Sequence, residues 1–197
     1  MEEILPGVFH WTARHPKIGI EVSSYCLAEA GVLIDPLLPR EGLDWLAENG
    51  PPRDVLLTNR HHWRHCSELI DAFGVTVHAS RPGMHEFGPD RPVTPFDFGD
   101  ELPGGAVAHE VGAICPDESA LHFPAEAMLA CADGVIRNGD GPLDFVPDGY
   151  MDDPQETKAG LAAAYRRLLD LDFDTLLLAH GNPWVGGAKG ALQEFAA

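Results

Sequence analysis

The sequence is poor in basic residues, with 13 lysines and arginines against 31 aspartates and glutamates among its 197 residues. The resulting formal net charge is -18 at neutral pH. Such a charge repels phosphate backbones and anionic lipid headgroups. The composition therefore argues against nucleic acid and membrane surfaces as partners. It is compatible with a small-molecule ligand or substrate, and it leaves the oligomeric state open.

Long apolar segments are also missing from the chain. No window approaches the run of about 18 apolar residues that a membrane-spanning helix needs. The first twenty residues carry acidic side chains where a signal peptide carries basic ones, and they contain no continuous apolar stretch. These absences predict a soluble, cytoplasmic protein.

Closely spaced cysteine pairs are absent as well. The four cysteines are Cys26, Cys66, Cys115 and Cys131, and no two of them form a CxxC pair. A zinc ribbon is therefore not expected. Cys26 and Cys131 lie in apolar runs, which predicts that they are small buried hydrophobic residues.

What the sequence does contain is a series of short apolar runs separated by turns. Runs such as residues 31–36, 54–58 and 175–179 predict buried strands, and residues 40–49 and 67–73 predict helices. Asp153 or its neighbour Asp152 is expected to cap a long helix that ends near residue 170. Because strands and helices occur in both halves and no linker divides them, we predict a single α/β domain over residues 1–197. Its expected architecture is an α/β/β/α sandwich of two mixed sheets flanked by helices.

Histidine and aspartate are concentrated where three of these strands end. The first junction is residues 58–66, with the sequence TNRHHWRHC, and the other two contain Asp133-Gly134 and His180-Gly181. Imidazole and carboxylate groups are good metal ligands, and buried strands fix the distances between them. The three junctions therefore indicate a metal site.

In order and spacing, the whole chain resembles the metallo-β-lactamase superfamily. That superfamily has the loop H-x-H-x-D-H after a strand that ends in threonine, then a lone histidine, an aspartate in a G-D turn and a histidine in a G-H-G turn. Residues 172–181, DFDTLLLAHG, are especially close to the C-terminal pattern of the superfamily. The resemblance implies the α/β/β/α fold and a hydrolytic site with two metal ions, usually zinc, iron or manganese.

The first motif departs from the pattern and can be aligned in two ways. Aligned on its last histidine, the positions of His, His, Asp and His are occupied by Arg60, His62, Arg64 and His65. Aligned on Thr58, the same positions are occupied by Asn59, His61, Trp63 and Arg64. Both alignments lose the aspartate, and residues 111–117 contain no histidine that could be the lone ligand.

The resemblance thus implies an incomplete ligand set, which comprises His62, His65, Asp133 and His180, with His61 as the rival from the same loop. The remaining residues of the pocket would be Asp35, Asn59, Arg60, Trp63 and Arg64. Such a set would hold one divalent ion (zinc first, iron or manganese second) or none. A guanidinium has no lone pair to donate, and at ~4 Å it would oppose a divalent ion by ~8 kcal/mol at an effective dielectric of ~20.

Two functions are compatible with this reduced set. In the first, the protein is non-catalytic or strongly altered and binds a small molecule in the former active-site pocket, where an arginine pairs with Asp133. In the second, one ion supports hydrolysis of a small ester, thioester or lactone. The sequence identifies no substrate. No functional role is expected for the remaining histidines, which are His10, His15, His78, His85, His109 and His122.

Overall fold

Short strands in the first half of the chain form a seven-stranded mixed sheet in the computed structural model, which describes all residues from 1 to 197. In spatial and chain order these strands are β1 (Glu2–Leu5), β2 (Val8–Arg14), β3 (Glu21–Leu27), β4 (Val32–Ile34), β5 (Asp54–Leu56), β6 (Thr76–Ser80) and β7 (Thr94–Phe96). Strands β1 to β4 are antiparallel neighbours, and β4 to β7 are parallel neighbours. Residues 1–96 make up the first of two compact units.

Two helices cover apolar side chains of this first sheet. They are α1 (Gly42–Asn49) and α2 (Cys66–Phe73). Leu46 of α1 and Leu69 of α2 are fully buried in one cluster with strand residues such as Leu33 and Val55. Helix α2 ends at Gly74, whose left-handed conformation (φ 68°) suits a residue without a side chain. Strand β4 is apolar throughout and β5 is apolar after Asp54, as expected near the centre of a parallel sheet.

Residues 97–197 form the second unit around a six-stranded mixed sheet. Its spatial order is β15 (Trp184–Val185), β14 (Thr175–Leu178), β11 (Met128–Cys131), β10 (Ser119–Phe123), β9 (Ala106–Glu110) and β8 (Glu101–Leu102). A separate hairpin pairs β12 (Ile136–Arg137) with β13 (Leu143–Asp144). Helices α3 (Pro154–Leu168) and α4 (Ala188–Phe195) bury Leu161, Tyr165 and Leu192 in the core of this unit. No helix of either unit is long and apolar enough to cross a membrane.

Most of the predicted elements are confirmed, with boundaries that differ by a few residues. Asp153, rather than Asp152, caps α3, because its side chain accepts hydrogen bonds from the backbone N–H groups of Gln155 and Glu156 at 3.0 Å each. The sequence reasoning missed β1, β15 and the hairpin of β12 and β13, which are two to four residues long. The predicted single domain over residues 1–197 stays a prediction.

Candidate functional site

Asp133 and His180 are brought together by the register of two parallel strands. In that register Cys131 of β11 pairs with Leu178 of β14. Both strands end at this pair, and one alanine separates each strand end from its polar residue, so Asp133 and His180 leave the sheet side by side. The N–H of Ala179 donates to the carbonyl of Cys131 at 3.1 Å and holds the two ends together. The carboxyl ends of parallel strands are a common location for binding sites.

The two side chains contact each other directly. Nε2 of His180 lies 2.9 Å from Oδ1 of Asp133, and their side chains are 19% and 23% exposed. An imidazole nitrogen and a carboxylate oxygen at this separation are donors of the kind that zinc, iron and manganese accept. The pair is therefore a fit for part of a metal site, and it is the His/Asp combination that the sequence predicted.

Buried Glu118 holds the turn that carries Asp133. Its Oε1 accepts a hydrogen bond from the N–H of Gly134 at 2.7 Å. A Cβ at Gly134 would come within 2.5 Å of the Leu161 side chain and 2.7 Å of that oxygen, so these side chains would have to shift for any residue other than glycine. The sequence reasoning did not select Glu118, because a single glutamate before a strand gives no motif.

The turn that carries His180 is fixed by the neighbouring hairpin. The N–H of Arg137 donates to the carbonyl of His180 at 3.0 Å. Gly181 has φ 100°, and a Cβ there would collide with the carbonyl of Arg137. The guanidinium of Arg137 donates to the carbonyl of Pro183 at 3.0 Å and lies 4.3 Å from the ring centroid of Trp184. The glycine of the G-H-G-like turn is thus required by a close approach of backbone.

In the first unit, the polar centre is the buried carboxylate of Asp35, which directly follows β4 and is 2% exposed. Its oxygens accept from the N–H and the hydroxyl of Thr58 at 2.9 and 2.5 Å, and Nδ1 of His62 lies 2.9 Å away. Burial alone would raise the pKa of Asp35, but His62, Arg64 and the Thr58 hydroxyl together hold that pKa below its usual value.

The contact with Asp35 also fixes the ring of His62. Its Nδ1 lies 2.9 Å from the carboxylate and 3.1 Å from the Thr58 hydroxyl. The carboxylate accepts, so Nδ1 carries the proton and the lone pair belongs to Nε2. A carboxylate behind a histidine is the arrangement that orients many metal-ligating imidazoles. Asp35 and Thr58, both in the first unit, therefore orient the ring of His62 as in a metal-ligating histidine.

His65 has the opposite arrangement. The N–H of Leu38 donates to Nδ1 of His65 at 2.9 Å. Because that nitrogen accepts, the proton of the neutral ring is on Nε2, where it makes His65 a hydrogen-bond donor. A nitrogen that carries a proton has no lone pair for a metal ion. The geometry of His65 thus fits donation to a ligand better than metal coordination.

Arg64 is built into the backbone framework of the first unit. It has φ 41°, a conformation that side chains rarely adopt. One guanidinium nitrogen donates to the carbonyl of Ser23 at 2.6 Å and also to the carbonyl of Asp35. Arg60 lies 3.7 Å from the carboxylate of Glu86. The predicted pairing of an arginine with Asp133 stays a prediction.

A cleft of about 240 Å³ opens beside this loop within the first unit. Its cationic lining residues are Lys17, Arg60, Arg64 and Arg91, and its only carboxylate is Glu86. Four of the chain's 13 lysines and arginines are thus concentrated at one cleft of a strongly acidic protein.

Three histidines complete the polar lining of the cleft, namely His15, His61 and His65. Nδ1 of His15 accepts from the N–H of Lys17 at 3.2 Å, so its Nε2 carries the proton, as in His65. Burial, followed by the charges of Arg64, His62, Lys17 and His65, lowers the pKa of His15. Burial of the ring is the largest of these causes, and the charge of Arg64 is the next.

Some of these cleft residues were predicted from the sequence and others were not. Arg60, Trp63 and Arg64, predicted for a pocket, line the cleft, as do His61 and His65. The predicted pocket residues Asp35 and Asn59 are buried instead. Asn59 caps the 3₁₀ turn Arg60–Trp63, since its side-chain oxygen accepts from the N–H of His61 at 2.9 Å. Three residues were missed because they lie far from the motif in sequence, namely His15, Lys17 and Arg91.

Solved structures with the same fold include a metallo-β-lactamase family protein, an oxidoreductase and a di-iron-bound protein. A metallo-β-lactamase family protein from Thermus thermophilus is 17% identical, with a TM-score of 0.68 over 98% of this chain and 79% of that one. The rubredoxin:oxygen oxidoreductase of the anaerobe Desulfovibrio gigas is 14% identical, with a TM-score of 0.71 over 99% of this chain and 60% of that one. A protein solved in a di-iron-bound form is 20% identical, with a TM-score of 0.62 over 92% and 91% of the two chains.

With these likenesses, the two mixed sheets and their helices define the metallo-β-lactamase fold, which confirms the predicted fold class. No family sequence model matches the chain, and no curated protein sequence matches it. The shared fold leaves the chemistry to be argued from the residues of this chain.

Proposed function

We propose that this protein is a small-molecule binding module whose histidine-rich loop no longer completes a dinuclear metal site. The observation that carries the proposal is the cleft beside residues 58–65. In the superfamily pattern this loop supplies metal ligands, whereas here Arg60, Trp63, Arg64 and His65 line a cleft of about 240 Å³. Donor groups and an aromatic wall are suited to a ligand with both polar and apolar parts.

The internal bonds of the loop support the loss of metal ligation. Asn59 occupies the first histidine position in one of the two alignments, and its side chain caps the 3₁₀ turn. Arg64, at the other alignment's aspartate position, donates to two backbone carbonyls. Nδ1 of His65 accepts a hydrogen bond from a backbone N–H. In a ring that binds metal through Nε2, Nδ1 would instead carry the proton. Each residue therefore has a stabilising role that replaces coordination.

Protein NMR with a panel of small molecules tests this function. The chain has four tryptophans, so a ¹⁵N spectrum gives four indole N–H signals, and Trp63→Phe assigns the one at the cleft. We expect at least one class of small molecule to shift the Trp63 signal in a saturable manner while leaving that of Trp184 in place. A panel of acidic, basic and neutral molecules that shifts none of the cleft signals would contradict the proposal.

A second candidate function is a mononuclear, metal-dependent hydrolase of a small ester, thioester or lactone. The contact between Asp133 and His180 at 2.9 Å favours it, because the two groups are suited to a divalent ion. We propose His62 as the third ligand, since Asp35 holds its proton on Nδ1. A divalent ion bound there would supply Lewis-acid polarisation and an activated water.

Thermal melting with and without chelator separates the two candidates. A protein that needs a bound ion loses its stabilisation when the ion is removed, and the hydrolase would then lose turnover of a nitrophenyl ester as well. The binding module predicts an unchanged melting temperature. For both candidates we expect no β-lactam hydrolysis near 1 s⁻¹ with excess zinc. In the two alignments the aspartate of the pattern is replaced by Arg64 or by Trp63, and neither side chain can act as a carboxylate base.

A further inference from the structure

We infer that the ligand of the cleft in the first unit is a small oxyanion with two negative charges, such as a phosphate monoester or a dicarboxylate. The inference rests on the proposed binding function and specifies its ligand class. It starts from the charge of the lining, where Lys17, Arg60, Arg64 and Arg91 face a single carboxylate, Glu86. An arginine guanidinium matches the geometry of carboxylate and phosphate oxygens.

The cleft is lined mainly by cations, although the chain as a whole is strongly acidic. A protein with a net charge of -18 has few cations to place anywhere. These four come from three segments of the first unit, with Arg60 and Arg64 on one loop and Lys17 and Arg91 on two others. Their convergence is a property of the fold. At physiological ionic strength, charges more than about 8 Å away are largely screened, so an anion in the cleft experiences mainly the local cations.

The histidines of the cleft add neutral donors to these charges. Backbone N–H groups donate to Nδ1 of His15 and to Nδ1 of His65, so Nε2 carries the proton in both rings. The lining thus contains hydrogen-bond donors on several sides and few acceptors, which is the complement of an oxyanion. A cationic or donor-rich ligand would find only Glu86 to bind.

The size of the cleft and its apolar wall restrict the ligand further. At about 240 Å³ the cleft is smaller than the ~300–1,000 Å³ sites of drug-sized ligands. Leu37, Pro16 and Trp63 contribute an apolar wall, and the Arg91 guanidinium lies 5.8 Å from the ring centroid of Trp63. A small organic molecule that carries a compact dianionic group satisfies both parts of the lining.

Titration with inorganic phosphate and with malonate, followed by the Trp63 indole signal, tests the inference. We expect saturable binding of at least one anion, and Arg91→Gln should weaken it by about tenfold, the equivalent of one charge-assisted hydrogen bond. Arg60→Gln gives an independent second variant. The matched control is Arg167→Gln in the second unit, which removes the same charge from an exposed helix position and should change the affinity by less than about twofold.

The comparison of the two anions identifies the chemical class. Tighter binding of phosphate supports a phosphate ester, and tighter binding of malonate supports a dicarboxylate. Absence of saturable binding of both anions up to about 10 mM, or an equal effect of Arg167→Gln and Arg91→Gln, would overturn the inference. If only uncharged molecules shift the Trp63 signal, the binding function stands and the anion assignment fails. If no molecule shifts it, both fail.

Discussion

Both units place an aspartate just beyond the end of a buried parallel strand, and they use it differently. Asp35 in the first unit is 2% exposed and is bonded to Thr58 and His62. Asp133 in the second unit has a side chain that is 23% exposed and lies against His180. The first carboxylate is a structural anchor that holds a loop, whereas the second remains accessible to a ligand. The same residue type at the same kind of position thus has a role set by its burial.

The two units also differ in the residues that adopt positive φ near these aspartates. Asp35 and Arg64, two of the three non-glycine residues with positive φ, lie in the first unit and contact each other. In the second unit the sharp turn after His180 is made by Gly181 at φ 100°. Strain of ~1–3 kcal/mol per residue persists only where the surroundings enforce it. The bonds around Asp35 therefore have to stabilise the loop as well as the charge.

The largest effect is expected from Asp35→Asn. This change keeps the shape of the side chain but removes the negative charge that faces Arg64 and that accepts the hydrogen bonds of His62 and Thr58. We expect a loss of about 3–5 kcal/mol in the free energy of unfolding, as for a broken buried ion pair. Because the folded pKa of Asp35 is lowered, its contribution is present above the unfolded pKa of about 3.9 and is lost as the pH falls through the folded value.

Urea denaturation at neutral pH measures that loss. Asp71→Asn, at an exposed position of α2, is the matched control and should change the free energy of unfolding by less than about 0.5 kcal/mol. Equal stabilities of Asp35→Asn and Asp71→Asn would show that Asp35 is not the anchor of the first unit.

Gly181→Ala should have the next largest effect, now in the second unit. The new methyl group would collide with the carbonyl of Arg137, and the residue would have to keep φ 100°. We expect about 2–3 kcal/mol of destabilisation from strain and overpacking. Gly149→Ala is the control, because no atom lies within 4 Å of its Cβ position and its φ is not positive. A Gly181→Ala protein as stable as Gly149→Ala would contradict the close approach.

A smaller effect is expected from acid, through His10 of the first unit. Burial, with a smaller contribution from the charged N-terminus, lowers the pKa of His10 to about 4, and its ring stacks on Tyr25. Between pH 6.5 and 4 the unfolded chain binds a proton that the folded chain does not. The stability due to neutral His10 is therefore full above pH 6.5 and is lost as the pH falls toward 4.

His10→Gln removes this dependence. Relative to the variant, the native chain should lose about 1–1.5 kcal/mol between pH 7.5 and 5.5, measured by urea denaturation at each pH. Exposed His85→Gln serves as the control. Parallel pH profiles for the native chain and His10→Gln would be evidence against the buried neutral ring.

The smallest effect is expected from Asp133→Asn. Its contact with His180 is partly exposed, and such pairs contribute about 0–1 kcal/mol. In metal-free buffer, thermal melts should therefore place Asp133→Asn close to the native chain and far from Asp35→Asn. A loss of about 3–5 kcal/mol would indicate instead that Asp133 compensates a buried cation, as the arginine-pairing hypothesis requires.

The contact between Asp133 and His180 in the second unit could be predicted from the sequence, because the register of two parallel strands determines it. Apolar runs of β11 and β14 locate two strand ends, and an equal offset beyond each end places Asp133 beside His180. The cleft of the first unit could not be predicted in that way. His15, Lys17 and Arg91 reach it from loops whose path depends on tertiary packing. The proton position of His65 likewise depends on one N–H group, that of Leu38.

Metal content is the most direct test of the central claim, that the loop of the first unit no longer completes a dinuclear site. The measurement is the molar ratio of zinc, iron and manganese to protein, by elemental analysis of chain purified without chelator and again after incubation with excess metal and desalting. The account predicts no more than one equivalent in either sample, because Asn59, Arg64 and His65 are committed to hydrogen bonds. Two tightly held equivalents per chain would contradict it.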